Sequence, residues 1–176
     1  MSTPTFPLDP PGINAAGNGA IWFVPALTDP SNPTTAEIEA GVELSCALYT
    51  FSPTFEQSTV TRTKYCYTEA VQTPGRTTRS IDRITYDYDP QEPESEEYAY
   101  YAELVPGRRG YIIDRRGLSA KQVPIADGQY VHVTPVELGA RDDVAINPEE
   151  EGQKLSIEQV IHVIGEKIRD AVVGAA

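Results

Sequence analysis

The sequence predicts a mainly β domain, α+β in detail, with one flanking α-helix, an N-terminal extended arm and a long polar loop. Three observations carry this expectation. Short segments mixing β-branched and aromatic residues with polar ones recur along the chain, most clearly SIDRITYDY at Ser80–Tyr88. Glycine and proline bound these segments closely, as turns between strands require. Helix signals with both a start and a stop occur in two stretches, each ended by a glycine or a Pro-Gly pair. The 176 residues, 40% apolar and 23% charged, suffice for one domain with a real core.

Residues 1–18, MSTPTFPLDPPGINAAGN, read as the arm, because Pro4, Pro7, Pro10 and Pro11 prevent helix and no periodic apolar face accompanies them. They also lack the basic-then-apolar plan of an export signal. A strand follows at about 19–25, in IWFVPAL. The turn formers Thr28-Asp-Pro-Ser-Asn-Pro33 lead to Thr34-x-x-Glu37, a capping box that predicts a short helix ended by Gly41. VELSCALY, residues 42–49, fits strand and helix equally. Ser52–Thr78 is rich in Thr and Ser and reads as the long loop, with a turn at Thr73-Pro-Gly75 and a stretch, Thr59–Tyr67, able to pair as a strand.

Asp87–Glu103, DYDPQEPESEEYAYYAE, holds seven acids and no base. Pro93 suits a first helical position, Glu94, Glu96 and Glu97 complement a helix N-terminus, and Tyr98, Tyr101, Ala102 and Val105 fall on one stripe. A helix is therefore expected at about 94–105. Gly110–Gly117 and Gly128–Leu138 read as strands. Beyond Gln153, Ile157, Val160, Ile161, Ile164 and Ile168 have helical spacing, while Leu155, Ile157, Ile161 and Val163 keep a two-residue period interrupted only by Gln159. Pattern does not decide between them, although the Ile and Val content leans toward strand. The expected partition is an arm at 1–18, a domain at 19–166 and a tail at 167–176.

Charge excludes one large class of function. Twenty-six acids against 14 bases give a net charge of −12, so the surface repels a phosphate backbone instead of neutralising it. The longest apolar run, seven residues from Ile21, is far short of the roughly 20 that span a bilayer. Cys46 and Cys66 are twenty apart with no CxxC, and two buried thiols are favoured over a disulfide.

No arrangement suggests catalysis. His132 and His162 sit among Val and Ile, and no third metal ligand has suitable spacing. Asp87-x-Asp89 begins like a calcium loop, but Gln91 takes the third ligand place and the glycine and final Glu are absent. There is no GxSxG, phosphate loop or GxGxxG. Tyr86, Tyr88, Tyr98, Tyr100 and Tyr101 could form a sugar-stacking surface, but packing and subunit contact are the commoner uses of tyrosine. Arg108, Arg109, Arg115 and Arg116 form a basic cluster expected to answer carboxylates within the chain or across an interface. No enzyme and no cofactor are expected.

Taken in order, the segments resemble major tail tube proteins of long, non-contractile-tailed phages, siphovirus-type and notably those of actinobacteria. The resemblance rests on Val24-Pro-Ala-Leu followed by TDPSNPTTAEIEAG, then Ser80–Asp87, the acidic segment near 94–105, GYIIDRRG at 110–117, Val131–Leu138 and the final β segment, over roughly residues 19–165. It implies a β-sandwich or partial barrel with a flanking helix, shared with the type VI secretion tube. Six copies would form a ring whose inner sheets join into one barrel, and stacked rings would form the conduit for DNA ejection. Implied partners are further copies of itself, the tape-measure protein, the tail tip and tail terminator proteins, and DNA in transit without sequence-specific binding. No membrane is involved. The implied place is the virion tail, after assembly in the host cytoplasm.

In such a ring one face of each inner strand meets the channel. Arg83, Thr85 and Asp87 alternate with apolar neighbours, as do His132 and Thr134, and Ser156 and Glu158; these seven are the lumen candidates. Pro7, Pro10, Asp29, Tyr65, Tyr67, Arg115 and Arg116 are the candidates for contacts between subunits or rings. Two alternatives are a tube protein of another injection machine, type VI or phage-derived, and a virion β-sandwich that binds carbohydrate or protein.

Overall fold

The computed structural model describes residues 12–93, 95–147, 149 and 151–175. Eight antiparallel strands make one sheet: β1 (Gly19–Val24), β2 (Val42–Glu43), β3 (Leu48–Arg62), β4 (Val71–Asp87), β5 (Arg109–Arg116), β6 (Tyr130–Asp143), β7 (Ser156–Val163) and β8 (Ile168–Val172). Their order is β2-β1-β5-β6-β7-β4-β3, with β8 also on β6. β2 and β3 lie at opposite ends of this order, yet only residues 44–47 separate them in the chain. Four residues reach no farther than about 14 Å, so the two edges must come together. The Leu44 amide donates to the Ile21 carbonyl at 2.8 Å, and the Asp87 amide donates to the Ala47 carbonyl at 3.3 Å. The sheet is thus curled into a partial barrel that the 44–47 turn straps without closing its ladder. The ambiguous 42–49 stretch is a two-residue strand, this turn and the start of β3.

Curling gives β1 and β5 two buried faces. Phe23, Ile112, Val136, Leu138, Ile161 and Tyr86 come from five different strands into one cluster inside the curl. Trp22, Val24, Ile113, Val133 and Ala171 alternate with them and pack outside it, under Ile38 and Ile125. Helix α1 (Thr35–Glu39) supplies Ile38, and its capping box is formed at Thr34 and Glu37. The Thr34 and Thr28 amides hold the Glu37 carboxylate down at about 2. Gly41 follows because an added Cβ would stand 2.5 Å from the Phe23 carbonyl oxygen.

A 3₁₀ turn (Glu96–Tyr98) and helix α2 (Ala99–Glu103) replace the single helix expected at 94–105. Ser95 caps that turn, Glu94 lies outside the described residues, and the buried positions are Tyr100 and Leu104. Ala102 and Val105, placed on the expected stripe, are exposed. The tyrosines tie α2 to β4: Tyr86 and Tyr100 meet edge to face at 5.7 Å, and Tyr88 stacks on Tyr101 at 4.8 Å.

Three further expectations are corrected. The stretch 52–78 is not a loop but most of a hairpin whose strands run 15 and 17 residues. Its Thr73-Pro-Gly75 segment lies within β4, opposite a register shift at Gln57/Thr59, where a Cβ on Gly75 would meet Ser58 Oγ at 2.4 Å. Pro74 is tolerated because β7 pairs with β4 no farther than Ile81, leaving that edge free. The segment expected as a tail from 167 onward carries β8, which pairs with β6, and Val173 is buried. Cys46 and Cys66 are both free and exposed instead of buried.

Candidate functional site

The ladders decide which polar residues share a face. Thr85 pairs with Glu158 and Asp87 with Ser156, while Arg83, opposite Val160, donates to Glu158 at 2.6 Å. All five sequence candidates on β4 and β7 therefore share one surface. Behind them Ile84, Tyr86, Ile157 and Ile161 are buried, the separation of wet and dry faces expected of an antiparallel sheet. The surface continues onto β6, where Asp142 stands opposite Glu158 and Glu137 opposite His162, and onto β5, where Arg109 donates to Glu137 at 2.7 Å. Asp87, Asp142, Glu158 and Glu137 outnumber Arg83, Arg109 and Lys154, the last 3.8 Å from Asp87, so the face carries a small acidic excess.

His132 and Thr134 lie elsewhere. They alternate with Val131 and Val133 of the outer cluster and share the side of Val136 and Leu138, inside the curl. The Asp170 amide donates to His132 Nδ1 at 3.2 Å, and burial holds the imidazole below its usual range. The ring is thus neutral at neutral pH, and the Asp170 carboxylate, 3.9 Å away, is a neighbour and not an ion-pair partner. Side chains alternate along β6, but opposite faces of a curled sheet are not one surface.

The contact candidates also divide. Pro7 and Pro10 fall outside the described residues. Asp29 is exposed and accepts from the Ser31 hydroxyl at 2.6 Å and from the Ser31 amide at 2.9 Å, local turn bonds that lower its own pKa. Tyr65 is fully exposed and Tyr67 43% exposed, in the connection between β3 and β4. Arg116 reaches back to Asp114 at 2.7 Å. Arg115 is corrected outright: it is 1% exposed and cannot serve a neighbour. Its guanidinium donates to the carbonyls of Ser119, Val123 and Pro124 and to Gln129 Oε1, at 2.7–3.2 Å, beneath the Trp22 ring. The other three arginines of the cluster do answer carboxylates, Glu103, Glu137 and Asp114. Sequence reasoning missed Glu137 and Asp142 on the polar face, since Asp142 follows a register shift after Leu138 that breaks the count along β6.

Among the described residues, no group of three or more His, Cys, Asp or Glu side chains is placed to hold a metal ion, and no helix is long and apolar enough to cross a membrane. A family model described as phage tail tube protein matches residues 7–176.

The chain belongs to the phage tail tube protein family.

It is accordingly a structural protein of the virion tail. No curated protein matches it. Among solved structures, this tail tube protein is similar to a chain in the cryo-EM structure of the anti-feeding prophage baseplate, 6-fold symmetrised. The TM-score is 0.50 at 10% identity, over 99% of this chain and 98% of the other. At that identity the likeness is one of fold.

Proposed function

We propose that this tail tube protein forms six-membered rings that stack into the tube of a long, non-contractile siphovirus-type tail, and that the polar face of β4, β7 and β6 lines the channel through which DNA is ejected. The observation that carries this reading is the convergence of Arg83, Thr85, Asp87, Ser156 and Glu158 on one solvent-facing sheet surface with a dry reverse side. A channel wall with an acidic excess, its arginines paired to Glu158 and Glu137, repels phosphates on balance and offers DNA little to stick to. The bare hairpin and the exposed Tyr65 and Tyr67 then supply contacts between rings, and the unpaired outer edge of β3 is available for pairing with a neighbouring subunit. The same reading makes the tape-measure, tail tip and terminator proteins its partners, with assembly in the host cytoplasm.

Purified protein is expected to be monomeric or weakly associated when dilute and to polymerise at high concentration into tubes with an open centre. Negative-stain microscopy with sedimentation checks this. A monomer at every concentration, even with tail-tip complexes added as nuclei, would sink the proposal.

A second expectation concerns the channel wall. Replacing Asp87 and Glu158 by Lys in one chain removes two acids per subunit and adds two bases. Tubes should still form, because both side chains are partly solvated and no apolar contact is lost. Ejection of DNA from reconstituted particles should slow by roughly tenfold, as phosphates are transiently held. Normal ejection, or labelling of both positions from the outside of intact tubes, contradicts the placement.

A further inference from the structure

Positive charge collects at one end of this acidic subunit. Arg79 on β4, Arg116 at the end of β5, and Lys167 and Arg169 around the start of β8 line one cleft of about 190 Å³, together with His132 and Thr134. Arg116 is answered by Asp114. Arg79, Lys167 and Arg169 make no ion pair among the described residues. Burial lowers the pKa of the Lys167 ammonium, and Arg116, Arg169 and Arg79 push it the same way against the pull of Asp114. Cations crowded in a partly desolvated cleft repel one another, and an anion entering it relieves that repulsion.

Negative charge collects at the other end. β4 runs from Arg79 to Asp87, eight residues or about 26 Å, and leads into the exposed Glu96 and Glu97. The exposed Asp142 and Asp143 close β6 beside the start of β7, and Glu149 and Glu151 follow in the connection between those strands. Lys154, 3.8 Å from Asp87, is a base among them. A subunit with complementary charge at its two ends is suited to head-to-tail contact, the heterologous kind that generates rings or open stacks.

We propose that the basic cleft is a docking site for the acidic end of a second copy of this chain, with the carboxylates around Glu96 and Glu97 seated among Arg79, Lys167 and Arg169. This inference rests on the tube reading for its setting, and its test separates the two. Three variants are compared with the wild type by sedimentation and negative stain: R79E/K167E, E96K/E97K, and the chain carrying all four changes. Each double variant should keep its circular dichroism and melting temperature while the concentration needed for assembly rises at least tenfold. The fourfold variant, whose charges are exchanged but complementary, should recover most of the wild-type assembly.

Tubes that form equally well from both double variants overturn the contact and leave the tube reading standing. So does a fourfold variant that is folded but fails to recover. Loss of binding to a short DNA oligonucleotide in R79E/K167E, with assembly unchanged, makes the cleft a nucleic-acid site and also overturns the inference. Wild-type protein that stays monomeric throughout overturns both.

Discussion

Replacing Arg115 by methionine should destabilise the folded subunit by about 3 kcal/mol or more, the largest effect expected of any single substitution in this chain. The residues between β5 and β6 form no regular ladder, so their carbonyls depend on whatever donors reach them. Arg115 provides two donors to that segment at Nη1 and two at Nη2, from a side chain that is 1% exposed. Methionine fills similar volume but removes those donors from the part-buried Ser119 and Val123 carbonyls and leaves the Pro124 carbonyl with Gln129 Nε2 alone, a cost of about 1–3 kcal/mol for each carbonyl that water does not reach. Lysine should be intermediate, since a compact ammonium cannot span the positions served by a planar fork. Urea unfolding followed by circular dichroism reads the change, and a methionine variant within 1 kcal/mol of the wild type, on the scale of ordinary surface substitutions, would refute this role.

Cutting back the β3–β4 hairpin should have the opposite signature, little change in stability and near-total loss of assembly. From Thr54 to Arg62 every β3 residue is exposed, and the facing part of β4 is exposed or half-buried. A two-stranded ribbon bare on both faces is marginal in water, so its length makes physical sense as a surface for other subunits. Replacing Gln57–Thr77 by Asn-Gly joins Glu56 to Thr78, which already face each other, through a turn suited to a two-residue connection. The shortened subunit should melt within a few degrees of the intact one, because the inner core gains its β4 residues from Ile81, Ile84 and Tyr86. Tube formation should fall at least 100-fold. Normal polymerisation would remove the hairpin from the stacking surface, and an unfolded product would make the ribbon part of the folding unit.

The contrast between these two sites bears on what can be read from a sequence. Of this hairpin the sequence offers only Thr59–Tyr67 as a stretch able to pair, because strand periodicity records the burial of one face. Thr, Ser and Gln on both faces leave no alternation to find, and Thr73-Pro-Gly75 carries turn residues inside a strand. Arg115 was misplaced for the complementary reason. Its neighbours in sequence are Asp114, Arg116 and Gly117, and nothing local announces that four acceptors will converge on it from residues 119–129.

Local chemistry alone determined the elements whose causes lie within a few residues. These are β1 in IWFV, the Thr34–Glu37 capping box with its stop at Gly41, and the Ser80–Asp87 alternation, whereas from Leu155 to Val163 a two-residue period competes with helical spacing and only the structure makes it a strand. That period survives Gln159, whose buried amide donates to the Leu104 and Gly139 carbonyls and whose Oε1 accepts from Tyr86. The acidic balance, and with it a surface unsuited to holding DNA, was equally plain from composition. Tertiary structure alone decided which alternating residues form one surface. Alternation assigns side chains to the two faces of a single strand, whereas curling the sheet turns one face inward along its whole width. That curl separates His132 and Thr134 from Asp87 and Glu158, and it gathers Arg79, Lys167 and Arg169 from distant parts of the chain into one cleft.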